Sequence, residues 1–104
     1  MFARTARYEV PLGGVEDDIR EAAEIEKKVT ALRGNKGFYY FVDRQTGRTM
    51  SLTLWDSESS LRDSAAPTAA LRQELTHPTG AKVVSVDEFE AVVVPAEMSR
   101  TAAG

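Results

Sequence analysis

Several side chains in this sequence have types and spacings that could do chemistry on a small molecule. Arg72 is a forked donor able to anchor an anionic oxygen, unless it is a solvated helix residue paired with Glu74 or Asp63. Tyr8, Tyr39 and Tyr40 could each present a phenolic donor to a ligand carbonyl, or simply pack with the hydroxyl outward in β-rich segments. Trp55 ends a run in which Thr49, Ser51 and Thr53 share its face. Small residues beside a large ring leave volume. A helix laid over them could enclose a cavity with the indole as a wall for a planar ligand, or the indole could be core that locks strand to helix. His77, the single histidine, could act as a general base. It stands before Pro78 at a helix end, where a histidine more commonly meets the last carbonyls or water.

Other groups read as scaffold. Arg4 and Arg7 suit cross-strand ion pairs with Glu88 or Glu90. Glu16-Asp17-Asp18 suits a helix start and Asp87-Glu88 a strand edge; neither has the ligand spacing of a calcium loop. No metal site is expected.

The elements that must position these groups follow from periodicity. Phe2, Arg4, Ala6, Tyr8 and Val10 alternate with Ala3, Thr5, Arg7 and Glu9, which predicts a strand over 2–10. Pro11-Leu12-Gly13-Gly14 stops it. Val15, Ile19, Ala22, Ile25, Val29 and Leu32 recur at helical steps, so a helix is predicted from Val15 to about Arg33, with Gly34 as its stop. Phe38–Val42 and Arg48–Trp55 are β-rich and joined by a short polar link containing Gly47, a hairpin. Ser57 caps a second helix, which Pro67 breaks before a further segment to about Thr76. Residues 82–94 read as the last strand, with a change of parity near Asp87 and Glu88 that suggests a β-bulge there.

The order β-α-β-β-α-β predicts an α+β, ferredoxin-like domain: a four-stranded antiparallel sheet with the helices on one face. The other face also carries apolar side chains, among them Met50, Leu52, Leu54, Tyr39 and Phe41. Two helices cannot cover both faces. A homodimer packed sheet on sheet is the economical cover. A single domain over 1–94 and a flexible tail over 95–104 complete the expected organisation.

Composition narrows the class of function. The chain has 104 residues, enough for one domain, with 42% hydrophobic and 28% charged residues. Thirteen Lys and Arg against sixteen Asp and Glu give a formal charge of −3, which argues against nucleic acid as a partner. Without cysteine there is no disulfide, thiolate site or cysteine nucleophile. No apolar run has signal-peptide or bilayer-spanning length, so a cytoplasmic protein without a membrane partner is expected.

Ser51-Leu52-Thr53-Leu54-Trp55-Asp56-Ser57-Glu58, a strand ending in Trp-x-Ser-Glu at a helix start, resembles the antibiotic-biosynthesis-monooxygenase-like domains of the dimeric α+β barrel superfamily. Gly37-Phe38-Tyr39 and Ala70-Leu71-Arg72-Gln73-Glu74-Leu75 support the resemblance, which spans about residues 2–94. It implies a pocket between the sheet and its own helices. In the quinone-forming branch the pocket's tryptophan matches Trp55, its asparagine Ser51, its tyrosine Leu61 and its arginine Arg72. The substrate-polarising amide and the phenol are thus replaced, and Ser51 could donate a single hydrogen bond. In the haem-degrading branch the asparagine matches Ala6, the tryptophan Trp55, and the iron-binding histidine falls near Glu74, with His77 further on.

The resemblance implies a cofactor-independent monooxygenase-like enzyme acting on a small planar aromatic, with no cofactor of its own. Arg72, Tyr40 and Ser51 would then be catalytic, and Trp55, Tyr8, Leu61 and His77 would bind substrate. The alternatives are a non-catalytic dimeric module that binds a small hydrophobic metabolite, and a haem-binding or haem-degrading protein.

Overall fold

A computed structural model describes residues 1–95; most of the expected tail, 96–104, lies outside the described residues. The elements are β1 (Phe2–Glu9), a single 3-10 turn (Leu12–Gly14), α1 (Val15–Thr30), β2 (Asn35–Val42), β3 (Arg48–Trp55), α2 (Glu58–Asp63), α3 (Ala65–Thr76) and β4 (Lys82–Glu90). The four strands form one antiparallel sheet in the order β2-β3-β1-β4, with the helices on one face. This is the ferredoxin-like α+β arrangement.

β1 lies at the centre of the site because it pairs on both edges. Ala6 faces Ser51 on one side and Val86 on the other. Alternation puts Arg4, Ala6 and Tyr8 under the helices, where all three are buried. Across β3 the same parity turns Thr49, Ser51, Thr53 and Trp55 inward. The core joins Ala6 and Tyr8 to Ala22, Ile25 and Val29 of α1 and to Leu75 of α3. Each large apolar side chain so buried contributes roughly 1.5–3 kcal/mol.

Local chemistry sets the boundaries. The Ser57 hydroxyl accepts the Ser60 N–H at 3.1 Å and caps α2. Pro67 has no N–H to offer the carbonyl of Asp63, so the helix breaks one turn upstream, at Ser64. Pro67 then sits in the first turn of α3, where a missing donor costs little. α1 ends at Thr30, three residues before the predicted limit. Gly34 follows at φ 81°, in the left-handed region that a glycine occupies freely.

Two expectations for the last strand are corrected. It ends at Glu90 rather than residue 94. Its register shift lies opposite Arg7 and Tyr8, where Ser85 and Val83 bracket an unpaired Val84, and not near Asp87 and Glu88. Regular alternation continues through 85–89. Glu88 points under the helices to Arg4, and Phe89 lies over Ala3 on the opposite face. The apparent change of parity is therefore Phe89 leaving the core, not a bulge.

The helix-free face is apolar, and Phe41, Val84 and Phe89 are each at least half exposed. Among the described residues, no helix is long and apolar enough to cross a membrane.

Candidate functional site

The groups with chemical potential collect under the helices in three layers along the sheet. The first layer is centred on Arg4. Its guanidinium has five N–H donors, and all five find partners. Nε and one Nη2 hydrogen go to Glu88 Oε2, at 3.1 and 2.7 Å. The other Nη2 hydrogen goes to the Leu61 carbonyl at 2.8 Å. Nη1 donates to Ser64 Oγ and Thr68 Oγ1, at 2.8 and 3.0 Å. Arg4 ties β1 to α2, α3 and β4, and no donor remains for a ligand. Glu88 was one of the two partners expected from sequence; Ser64, Thr68 and the Leu61 carbonyl were not anticipated.

The middle layer is a small cavity of about 30 Å³ between the sheet and the helices. Ala6, Tyr8, Phe38, Ser51 and Thr53, with Arg4, form its floor, and Ile25 and Val29 of α1 with Thr68, Leu71, Arg72 and Leu75 of α3 form its roof. Its polar groups converge. The Tyr8 hydroxyl lies 3.0 Å from Ser51 Oγ, and the positive charge of Arg72, which lines the same cavity, favours negative charge on it. Burial is the dominant influence on Tyr8 and raises its pKa, against the bond from Ser51 and the charge of Arg72. Tyr8 therefore stays a neutral phenol at physiological pH. It is a donor there, not a base.

Arg72 is half-buried and forms no ion pair among the described residues. Glu74, one of its expected partners, instead reaches Lys28 at 3.1 Å. The arrangement can hold an anionic oxygen between Arg72, Tyr8 and Ser51 while apolar side chains contact the rest of a ligand.

The third layer lies beyond the cavity. Asp18 is fully buried, and its Oδ2 accepts the Tyr40 hydroxyl at 2.5 Å, while that hydroxyl is also 2.9 Å from Thr49 Oγ1. Asp18 Oδ1 has no hydrogen-bond partner among the described residues. Burial raises the Asp18 pKa, opposed chiefly by the bond from Tyr40. Burial, and then the bond to Asp18, push the Tyr40 hydroxyl well above the usual phenol range.

The residues singled out from sequence are thus distributed unevenly. Arg72, Tyr8 and Ser51 come together at the cavity. Tyr40 turns to Asp18 and does not line it. Trp55 is fully buried beside it, its indole N–H donating to Thr53 Oγ1 at 3.0 Å; Thr53, not the indole, reaches the cavity wall. Leu61 is buried core, joined to Arg4 through its carbonyl. His77 is exposed at the end of α3, in a shallow depression with Gln73, Thr76, Gly80 and Ala81. Asp18 was missed, although its place three residues after Val15 and four before Ala22 puts it on the apolar stripe of α1.

Solved structures share this architecture. The haem-degrader MhuD of Mycobacterium tuberculosis, a structure with two haems in its active site, superposes with a TM-score of 0.72 at 22% identity, over 92% of this chain and 100% of that one. MupZ of Pseudomonas fluorescens gives 0.71 at 14% identity, over 96% of this chain and 76% of that one. An antibiotic biosynthesis monooxygenase gives 0.65 at 15% identity, over 89% and 100% of the two chains. No protein-family model and no curated protein matches the sequence. At such identities the likeness is one of architecture: the chain shares the ferredoxin-like fold of these proteins.

Proposed function

We propose that this protein is a cofactor-independent monooxygenase-like enzyme for a small planar aromatic bearing an acidic hydroxyl or enol. The observation that carries the reading is the convergence of Arg72, Tyr8 and Ser51 on a cavity whose other walls are largely apolar. Arg72 holds the ionised oxygen of the substrate, and Tyr8 and Ser51 donate to the same oxygen. The substrate itself supplies electrons: its anion adds dioxygen at carbon, and loss of water from the hydroperoxide leaves a carbonyl. The apolar roof keeps bulk water away from that intermediate. Among the described residues no side chain lining the cavity is a base at neutral pH, so the substrate must be acidic enough to ionise once Arg72 stabilises its anion.

The same lack of a base favours a second reading, a non-catalytic module that binds such a metabolite. Oxygen uptake on incubation with an anthrone or a hydroquinone separates the two. Turnover above the buffer rate supports the enzyme. A buffer-equal rate, with saturable quenching of Trp55 fluorescence, leaves the binding module.

Haem, which the MhuD structure holds, does not fit the residues here. His77 is exposed and outside the cavity, and among the described residues no histidine or carboxylate lines it to hold iron.

We further propose that the active form is a homodimer in which the helix-free faces pack together. Tyr39, Phe41, Val84 and Phe89 present an apolar surface of the kind that marks an association site. Sedimentation giving a dimer at micromolar concentration supports this, and a stable single chain would overturn it.

A further inference from the structure

A pocket for a drug-sized ligand encloses roughly 300–1,000 Å³, whereas the cavity here is about 30 Å³. If the cavity is the ligand pocket, a wall must yield. The floor is poorly placed to do so, because β1 is hydrogen-bonded to a strand on each side. α1 is pinned along its length by buried Val15, Asp18, Ala22, Ile25 and Val29 and by the bond from Tyr40 to Asp18. α3 is held least: only Thr68 and Leu75 are buried, while Leu71 and Arg72 are half-buried. It begins at the break before Pro67 and is followed by Gly80 at φ 73°. Local opening draws on such weakly packed elements.

One ion pair spans the seam between α1 and α3 among the described residues, Lys28 Nζ to Glu74 Oε2 at 3.1 Å. Lys28 precedes Val29 and Glu74 precedes Leu75, and those two apolar side chains both line the roof of the cavity. We propose that the seam between α1 and α3 is the entrance to the cavity and that the Lys28–Glu74 pair is its latch. The proposal rests on reading the cavity as the ligand pocket. Both side chains are about half exposed, so the pair is weak enough to break in each binding event.

The test uses charge exchange on the full chain, with 1-hydroxy-2-naphthoate, a planar hydroxyaromatic anion, as probe. Lys28→Glu and Glu74→Lys each replace attraction by repulsion, and the double exchange restores the pair. Apparent affinity scales with the fraction of open molecules. Each single variant is expected to bind the probe about two- to fivefold more tightly and associate faster, and the double variant to return to the wild-type value. The singles change net charge in opposite directions, so a shared gain cannot come from long-range attraction of the anion. High salt should shrink the differences.

Methyl resonances locate the probe. Shifts at Ile25, Val29, Leu71 and Leu75, with unchanged affinity in all variants, would overturn the latch and leave the pocket standing. Shifts confined to Met50 and Leu52 on the open face would overturn the pocket, and the latch with it.

Discussion

Arg4 and Glu88 meet at the edge of the sheet as a forked pair, with two guanidinium nitrogens on one carboxylate oxygen at 3.1 and 2.7 Å. The partners are unequally placed, since Arg4 is 4% exposed and Glu88 half exposed. Removing Arg4 strips a buried polar shell of its donor, while removing the charge of Glu88 alters a group that water already reaches. Arg4→Met is therefore expected to cost about 2–3 kcal/mol, through the loss of charge-assisted bonds to Ser64, Thr68 and the Leu61 carbonyl, which keep only the bonds they make among themselves. Glu88→Gln keeps an acceptor and should cost about 1 kcal/mol or less. Urea denaturation of the two variants checks the order; equal losses would mean that the ion pair, not the hydroxyl shell, sets the value of the site.

Asp18 gives a stability dependence on pH. Burial raises its folded-state pKa above the unfolded value near 3.8, so the folded chain holds this proton more tightly than the unfolded one. The sign follows: this group does not weaken the fold below about pH 4, where both states are protonated. Its destabilisation accumulates as pH rises from there through the folded pKa, and is complete above it. Asp18→Asn removes the titration while keeping an acceptor for Tyr40. The variant is expected to gain stability relative to wild type as pH rises, with the gap narrowing toward pH 4, in urea titrations across that range. Tyr40→Phe removes the single bond to Oδ2 and should cost about 1–3 kcal/mol.

Gly34 is a position where only glycine serves. Its φ is 81°, and an added Cβ would stand 2.2 Å from Ser60 Oγ and 2.5 Å from Ser60 Cβ. The left-handed backbone alone costs a non-glycine residue about 1–2 kcal/mol, and the clash adds to it. It would also disturb the contact in which the Asp56 N–H donates to the Gly34 carbonyl at 2.9 Å, beside the start of α2. Gly34→Ala should lower stability by more than about 2 kcal/mol in denaturant. A neutral outcome would show that this turn relaxes freely.

The fold was legible because period decides it. Alternation in 2–9, helical spacing in 15–30 and the polar link at 43–47 each fix an element without tertiary help. β4 was harder: Val86 and Phe89 are three apart, a spacing that reads as a slip in a strand until Glu88 is known to lie against Arg4. The site was legible only by halves. Arg72, Tyr8 and Ser51 announce themselves by type, but no local signal says that Tyr40 spends its hydroxyl on Asp18, or that Trp55 fills space next to the cavity instead of lining it. Those outcomes depend on side chains meeting across 22 or 43 positions of sequence, as Tyr40 meets Asp18 and Tyr8 meets Ser51. Asp18 sat in an acidic run suited to a helix start, and that run masked its place on the apolar stripe of α1.

Arg72 decides what the cavity recognises. Arg4 has every donor engaged, so Arg72 is the guanidinium that can still meet a ligand there. Its value should lie in geometry as well as charge, because a fork can address a ligand oxygen and the Tyr8 hydroxyl together, whereas an ammonium is a point charge. Arg72→Met is expected to weaken binding of an anionic hydroxyaromatic such as 1-hydroxy-2-naphthoate by about tenfold to a hundredfold, the loss of a charge-assisted bond worth about 1.5–3 kcal/mol. Arg72→Lys should recover part of that loss and Tyr8→Phe should cost less, since the phenol contributes a neutral donor. A neutral planar ligand of the same size, naphthalene for instance, should bind Arg72→Met at least as well as wild type, because methionine extends the apolar wall. Isothermal titration over the four proteins and two ligands reads the pattern. If the anion and the neutral hydrocarbon lost affinity equally in Arg72→Met, the arginine would be packing α3 and not recognising charge.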